Sequence, residues 1–131
     1  VYVVKLDDRG STLSQSKEIQ CTGTMHLEGA ALDRDGNLVI AGDAACADFP
    51  MGTAGYRGPS TADGGAFVIR LAPDLQTTHY AALVGGTGEE RVHAFVLDEE
   101  GRAYVGGATA SPDFPVTEGA WKRRAAGRDA F

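Results

Sequence analysis

Two stretches of the chain repeat each other at a fixed spacing. Thr24–Pro50 (TMHLEGAALDRDGNLVIAGDAACADFP) and Glu89–Pro115 (EERVHAFVLDEEGRAYVGGATASPDFP) share their landmarks 65 residues apart. Leu32-Asp33 falls on Leu97-Asp98, Gly36 on Gly101, Gly42 on Gly107, and Asp48-Phe49-Pro50 on Asp113-Phe114-Pro115. A period of this length means that one supersecondary unit occurs more than once, and the chain has to be read as a repeat protein.

Within each unit the pattern is that of short strands. Tyr2–Leu6 and Leu13–Ile19 come first, then Leu27–Leu32 and Leu38–Ala41 as a hairpin, then Ala66–Leu71 and Thr77–Val84, then Val92–Leu97 and Ala103–Gly106 as a second hairpin. The segments Asp33–Asn37 and Asp98–Gly101 carry the acidic and glycine chemistry of tight turns. A calcium site at Asp33-Arg34-Asp35-Gly36 is the competing reading. It lacks the distal glutamate of such a loop, and its counterpart changes the spacing, so turn chemistry is preferred. Long glycine-rich loops follow each hairpin, Asp43–Gly65 and Ala108–Asp129. Phe49 and Phe114 are expected to plug equivalent apolar positions there, with Tyr56 and Trp121 packed nearby and Thr117 capping a helical turn.

The hairpin strands carry apolar residues on both faces, with Ala94 and Val96 on one and Phe95 and Leu97 on the other. This fits a sheet covered on two sides rather than one facing water. A four-stranded unit of this kind cannot bury itself alone, and stacking copies around an axis covers both faces. The expected fold is therefore all-β, built of four-stranded antiparallel propeller blades, with this chain an incomplete β-propeller fragment. Residues 1–26 are then the outer hairpin of one blade, 27–88 a complete blade, and 89–131 the inner hairpin and long loop of the next. The chain opens and closes on strand-like residues, so it is expected to be an excerpt whose partners include further blades of the same chain.

The residues Leu83-Val84-Gly85-Gly86, Leu97-Asp98, Gly101, Tyr104-Val105, Gly107, Asp113-Phe114-Pro115, Gly119-Ala120 and Asp129-Ala130-Phe131 resemble the bacterial SBBP β-propeller repeat. The first copy departs from that pattern where Cys21 replaces the second glycine. The resemblance implies a secreted or surface-attached bacterial protein and supplies no catalytic residues.

Charge and composition exclude some functions. A net charge of −6 weighs against nucleic-acid or anionic-membrane surfaces, and no apolar run is long enough to span a membrane. Cys21 and Cys46 are too few for a disulfide scaffold. They form either one bond or, as the preferred reading, two partly buried thiols. No cofactor, metal set or catalytic cluster is expected.

Two groups of residues remain as ligand-binding candidates. His26, Glu28, Glu90, Arg91 and His93 start the hairpins, where they would line a central channel. Trp121, Lys122, Arg123 and Arg124 put an aromatic beside cations that could meet an acidic polysaccharide or protein, the alternative being local salt bridges. The function expected is a non-catalytic binding or structural module acting on protein or polysaccharide through its loops. The alternative is a propeller-type enzyme, a glycan lyase or hydrolase acting on an exported substrate.

Overall fold

The computed structural model describes residues 1–58, 64–125 and 127–131. All of its regular elements are strands: β1 (Tyr2–Leu6), β2 (Leu13–Glu18), β3 (Thr24–Leu32), β4 (Leu38–Ala45), β5 (Gly65–Leu71), β6 (Thr78–Val84), β7 (Glu90–Leu97), β8 (Ala103–Thr109) and β9 (Asp129–Ala130). Among the described residues no helix is long and apolar enough to cross a membrane. The strands form three separate antiparallel sheets, β1-β2, β3-β4-β5-β6 and β7-β8-β9.

The turns form as the residue types dictate. Asp33 accepts hydrogen bonds from the backbone N–H of Asp35 and Asn37 and from the Asn37 side chain. Gly36 takes φ +78°, a left-handed conformation that L side chains rarely adopt. One repeat later Asp98 accepts from the N–H of Glu100 and Arg102, and Gly101 again has φ +78°. Asp33 is also ion-paired to Arg70. Its oxygens are thus spent on donors of the chain itself, which is the turn reading rather than the calcium one.

The core lies between the first two sheets. Ile40, Phe67, Ile69, Leu71, Ala81 and Leu83 of the middle sheet cluster with Ile19, Cys46, Phe49 and Leu75, and Val3 and Cys21 pack against them. Cys21 and Cys46 are bonded, with Cα atoms 6.1 Å apart, so the reading as two separate thiols is corrected. The second copy has Gly86 and Ser111 at these places. Strand β7 lies over β3, β4 and β5 and covers part of the other face of the middle sheet. Residues one repeat apart meet there: Arg34 pairs with Glu99 at 2.6 Å, and Arg91 reaches His26.

The propeller expected from the sequence is not what the chain forms. A radial arrangement needs successive four-stranded sheets, each covered on both faces. Among the described residues only the middle sheet has four strands, none of the sheets is closed, and the flanking two are open outward. Val96 is 61% and Tyr104 54% exposed on the third sheet, and Tyr2 is 70% exposed on the first. What the hairpin pattern did carry is the all-β class. Apolar residues on both faces specify a covered sheet, but they do not specify the angle at which its neighbours lie.

Two aromatic expectations are also corrected. Phe49 is buried against Phe67 at 5.7 Å between centroids, whereas Phe114 is only half-buried, stacked on Phe131 at 4.8 Å. Trp121 is fully exposed, and Tyr56 is half-exposed although its carbonyl accepts from the N–H of Leu83 on β6 at 2.7 Å. Thr117 opens a single turn, closed by the N–H of Ala120 donating to its carbonyl, and no helix follows.

Candidate functional site

The strands extend further than their apolar residues alone indicate. β3 begins at Thr24, β4 runs through Asp43 to Ala45, and β7 begins at Glu90. This places His26 directly opposite Asp43 in the β3–β4 ladder, where side chains of paired residues lie on one face. The Asp43 carboxylate, 8% exposed, is the centre of the cluster. It accepts from the backbone N–H of Val92 at 3.2 Å, from Arg91 at 3.2 Å, and lies 3.1 Å from His26 Nδ1. Arg91 gives its other arm to Glu89 at 2.7 Å. The Glu89 hydrogen bond and charge, followed by the Asp43 charge, push the Arg91 guanidinium above its ordinary value.

Arg91 lies 3.2 Å from His26 Nδ1, the nitrogen that faces Asp43. One nitrogen cannot both donate to the carboxylate and accept from the guanidinium. The arrangement that satisfies the buried carboxylate has Nδ1–H and Arg91 donating side by side to the same oxygen. A cleft of about 340 Å³ opens here, bordered by Thr24, Asp43, Gly65, Gly88, Glu90 and Arg91.

Glu90 is buried beside this cleft with partners of its own. Its Oε1 accepts from the Thr109 hydroxyl at 2.8 Å and the Ser111 hydroxyl at 2.5 Å, and Ser111 Oγ accepts from the N–H of Gly88. Its Oε2 has no hydrogen-bond partner among the described residues. Glu28 and His93 stand exposed, each beside a register shift in its strand, between Leu27 and Gly29 and between Val92 and Ala94. The structure therefore gathers His26 and Arg91 around Asp43, buries Glu90 next to them, and leaves Glu28 and His93 outside the cluster.

The chemistry open to this cluster is narrow. A histidine acting as a general base must lie within reach of a nucleophile or a substrate proton. Among the described residues, His26 Nδ1 is committed to the Asp43 carboxylate, and no hydroxyl or thiol is bonded to its ring. The Asp43 oxygens are engaged by three donors. The grouping ties β3, β4 and β7 together across two sheets.

Cys21, Cys46 and Asp48 also lie close enough to one another to hold an ion. The two sulfurs are bonded to each other and so are not thiolate ligands. Asp48 accepts from the N–H and hydroxyl of Thr22.

The basic loop forms a second, more open cleft of about 270 Å³, lined by Phe114, Val116, Trp121, Lys122, Arg124 and Phe131. Lys122 is paired with Asp129 at 2.7 and 2.8 Å, and Arg123 donates to the Glu118 carbonyl at 2.8 Å. Arg124 is exposed beside Trp121 and makes no ion pair among the described residues.

Sequence reasoning missed Asp43, which had been assigned to a loop. Extending the hairpin outward in its own register sets Leu27 opposite Asp43; the register shift between Leu27 and Gly29 brings His26 there instead, and no residue type in the sequence signals it. The aspartates of the two Asp-Phe-Pro tripeptides were also undervalued. Asp48 laces to Thr22 and Asp113 to Thr87 by the same N–H and hydroxyl bonds. The paired Thr-Gly, 26 residues upstream in each copy, was the sign. In comparison with known proteins, the chain matches no family model and no curated protein.

Proposed function

We propose that the chain is a non-catalytic binding module that takes an acidic polysaccharide, one bearing uronate carboxylates, on its Trp121–Arg124 loop. The observation that carries this reading is the complete exposure of Trp121 on the cleft that Arg124 also lines. A large aromatic held in water has no stabilising role in the fold, and exposed tryptophan and arginine side by side are the residue types that dominate binding energy at recognition surfaces. An indole face stacks on a sugar ring, and a guanidinium matches a carboxylate with two parallel donors. Lys122 adds a second cation whose position is fixed by Asp129.

The net charge of −6 does not oppose this, because charges more than about 8 Å apart are largely screened at physiological salt. The Cys21–Cys46 bond supports an oxidising, exported setting, where such polymers occur. The Asp43 carboxylate beside His26 is already engaged by three donors of the chain itself, which favours binding over the enzymatic alternative.

The test is affinity electrophoresis of the chain through gels containing polygalacturonate, with neutral dextran as the control. Retardation by the polyuronate alone is expected, weakened about tenfold by Trp121→Ala or Arg124→Ala and reduced by added salt. Equal mobility in both gels, or retardation indifferent to both substitutions, overturns the reading.

A further inference from the structure

The bond between Cys21 and Cys46 closes beside a third metal-ligating group. Both Sγ atoms and a carboxylate oxygen of Asp48 lie within 4.8 Å of one another. Cys46 is buried, Cys21 half-buried and Asp48 exposed, so the group has a buried floor and one side open to water. The second copy keeps the carboxylate and drops the sulfurs. Thr87 holds Asp113 as Thr22 holds Asp48, but Gly86 and Ser111 stand where the cysteines stand. Among the described residues the three donors therefore gather in the first copy alone.

We propose that reduction of the Cys21–Cys46 bond turns this corner of the fold into a zinc site, with Cys21 Sγ, Cys46 Sγ and an Asp48 oxygen as ligands and water in the fourth position. The step balances. A low-molecular-weight dithiol gives up two electrons and two protons, closes to its own disulfide, and leaves Cys21 and Cys46 as thiols. The ion takes them as thiolates, and two protons leave to solvent.

The geometry suits that ion. Zinc holds sulfur at about 2.3 Å and carboxylate oxygen at about 2.0–2.2 Å in a tetrahedron, which sets two sulfurs about 3.8 Å apart. The Cα atoms of Cys21 and Cys46 are 6.1 Å apart, a spacing from which rotation of the two side chains brings the sulfurs to that separation. A tetrahedral set with two thiolates selects zinc over calcium or magnesium, which take oxygen ligands. Asp48 also has the outer partner that orients a ligating carboxylate. Its Oδ1 accepts from the Thr22 N–H at 2.9 Å and the Thr22 hydroxyl at 2.8 Å. Its Oδ2 has only the longer contact with the same N–H, at 3.2 Å, and is the oxygen that turns to the ion. Bond and ion exclude each other, since each uses both sulfurs. Either one ties the entry to β3 to the exit from β4, so the ion restores the link that reduction breaks.

The test uses the full chain, reduced with a phosphine, which supplies no competing thiolate, and titrated with cobalt(II) as a visible stand-in for zinc. One ion per reduced chain is expected, with a thiolate-to-cobalt charge-transfer band that added zinc abolishes, and no band from the oxidised chain. Zinc is expected to raise the melting temperature of the reduced chain, read by far-ultraviolet dichroism, and to leave that of the oxidised chain unchanged. Asp48→Asn keeps an acceptor for Thr22 but loses the anionic ligand, and weakens binding about tenfold or more. Asp113→Asn makes the same change in the second copy and leaves binding unchanged. A reduced chain without the band overturns the proposal. So does binding indifferent to Asp48→Asn, equal weakening by the two substitutions, or a reduced chain that stays unfolded when zinc is added.

Discussion

Breaking the Cys21–Cys46 bond tests the architecture most directly, because the bond fastens the first sheet to the loop that leaves the middle one. It spans a sequence separation of 25. The loop-entropy relation gives about 3.5 kcal/mol at 25 °C for a link of that length, through the freedom it removes from the unfolded chain. Small domains have total stabilities of only about 5–15 kcal/mol, so this is a substantial share. Reduction with dithiothreitol removes the link alone. The Cys21→Ala/Cys46→Ala pair also removes the buried Cys46 sulfur, at a further cost of about 1 kcal/mol. Thermal and urea unfolding followed by far-ultraviolet dichroism read both. Reduction is expected to lower the melting temperature by about 10–15 °C for a chain of this size, and the alanine pair by slightly more, with the β signal kept at low urea. Coincident oxidised and reduced curves would refute the reasoning. They would mean that the first sheet is held no more loosely in the unfolded chain without the bond, or that the bond does not form.

Two further outcomes follow from the packing. Phe49→Ala is expected to cost about 3–5 kcal/mol, since the ring is buried against Phe67. Phe114→Ala, at the half-buried counterpart, costs about half as much, and equal losses in urea unfolding would contradict the difference in burial. Asp33 gives a pH dependence. Burial works to raise its carboxyl, but hydrogen bonds from Asn37 and Asp35 and the charge of Arg70 outweigh burial and hold it below the ordinary carboxylate range. The unfolded chain therefore takes up the proton first as pH falls. The contribution is complete above the ordinary carboxylate value and is lost as pH drops through the depressed folded one. Asp33→Asn is expected to lower stability at neutral pH and to flatten its acid dependence, and a parallel acid limb in the variant would show that the group is not involved.

The repeat was legible because its landmarks are local. Glycine at Gly36 and Gly101 and aspartate at Asp33 and Asp98 meet turn requirements that depend on a few neighbouring atoms, so spacing alone locates them. The strands between them were legible for the same reason, as apolar runs bounded by turns. The arrangement of the sheets was not. It depends on how one sheet packs on another, as where β7 crosses β3, β4 and β5, and the period-two pattern of a strand does not encode that. The polar cluster was half legible. His26 and Arg91 stood out as polar residues beginning strands, but Asp43 counts as a strand residue only because three donors from two other strands satisfy its carboxylate. Without them a buried aspartate in a ladder would be prohibitive, so sequence alone favours a loop. Alignment of Trp121 with Tyr56 does not imply shared burial, since both are exposed.

The two copies also close the same slot by different chemistry, and this accounts for several departures between them at once. In the first copy the positions are Cys21, Met25, Ala44 and Cys46, with Ala44 and Cys46 buried, Met25 packed against the core, and the two cysteines bonded. In the second they are Gly86, Glu90, Thr109 and Ser111, with the Glu90 carboxylate accepting from both hydroxyls. A Cβ at Gly86 would come 2.6 Å from the Ser111 Cβ, so the glycine is what lets Ser111 approach. Each set is self-consistent, and the exchanges at Met25 and Glu90 break it. A carboxylate among Ala44 and Cys46 would be buried without a donor, and a methionine at Glu90 would leave two buried hydroxyls without their acceptor. The slot therefore changes as a block, which is why an alignment of the copies breaks at all four positions together while the Thr-Gly and Asp-Phe-Pro segments around them hold.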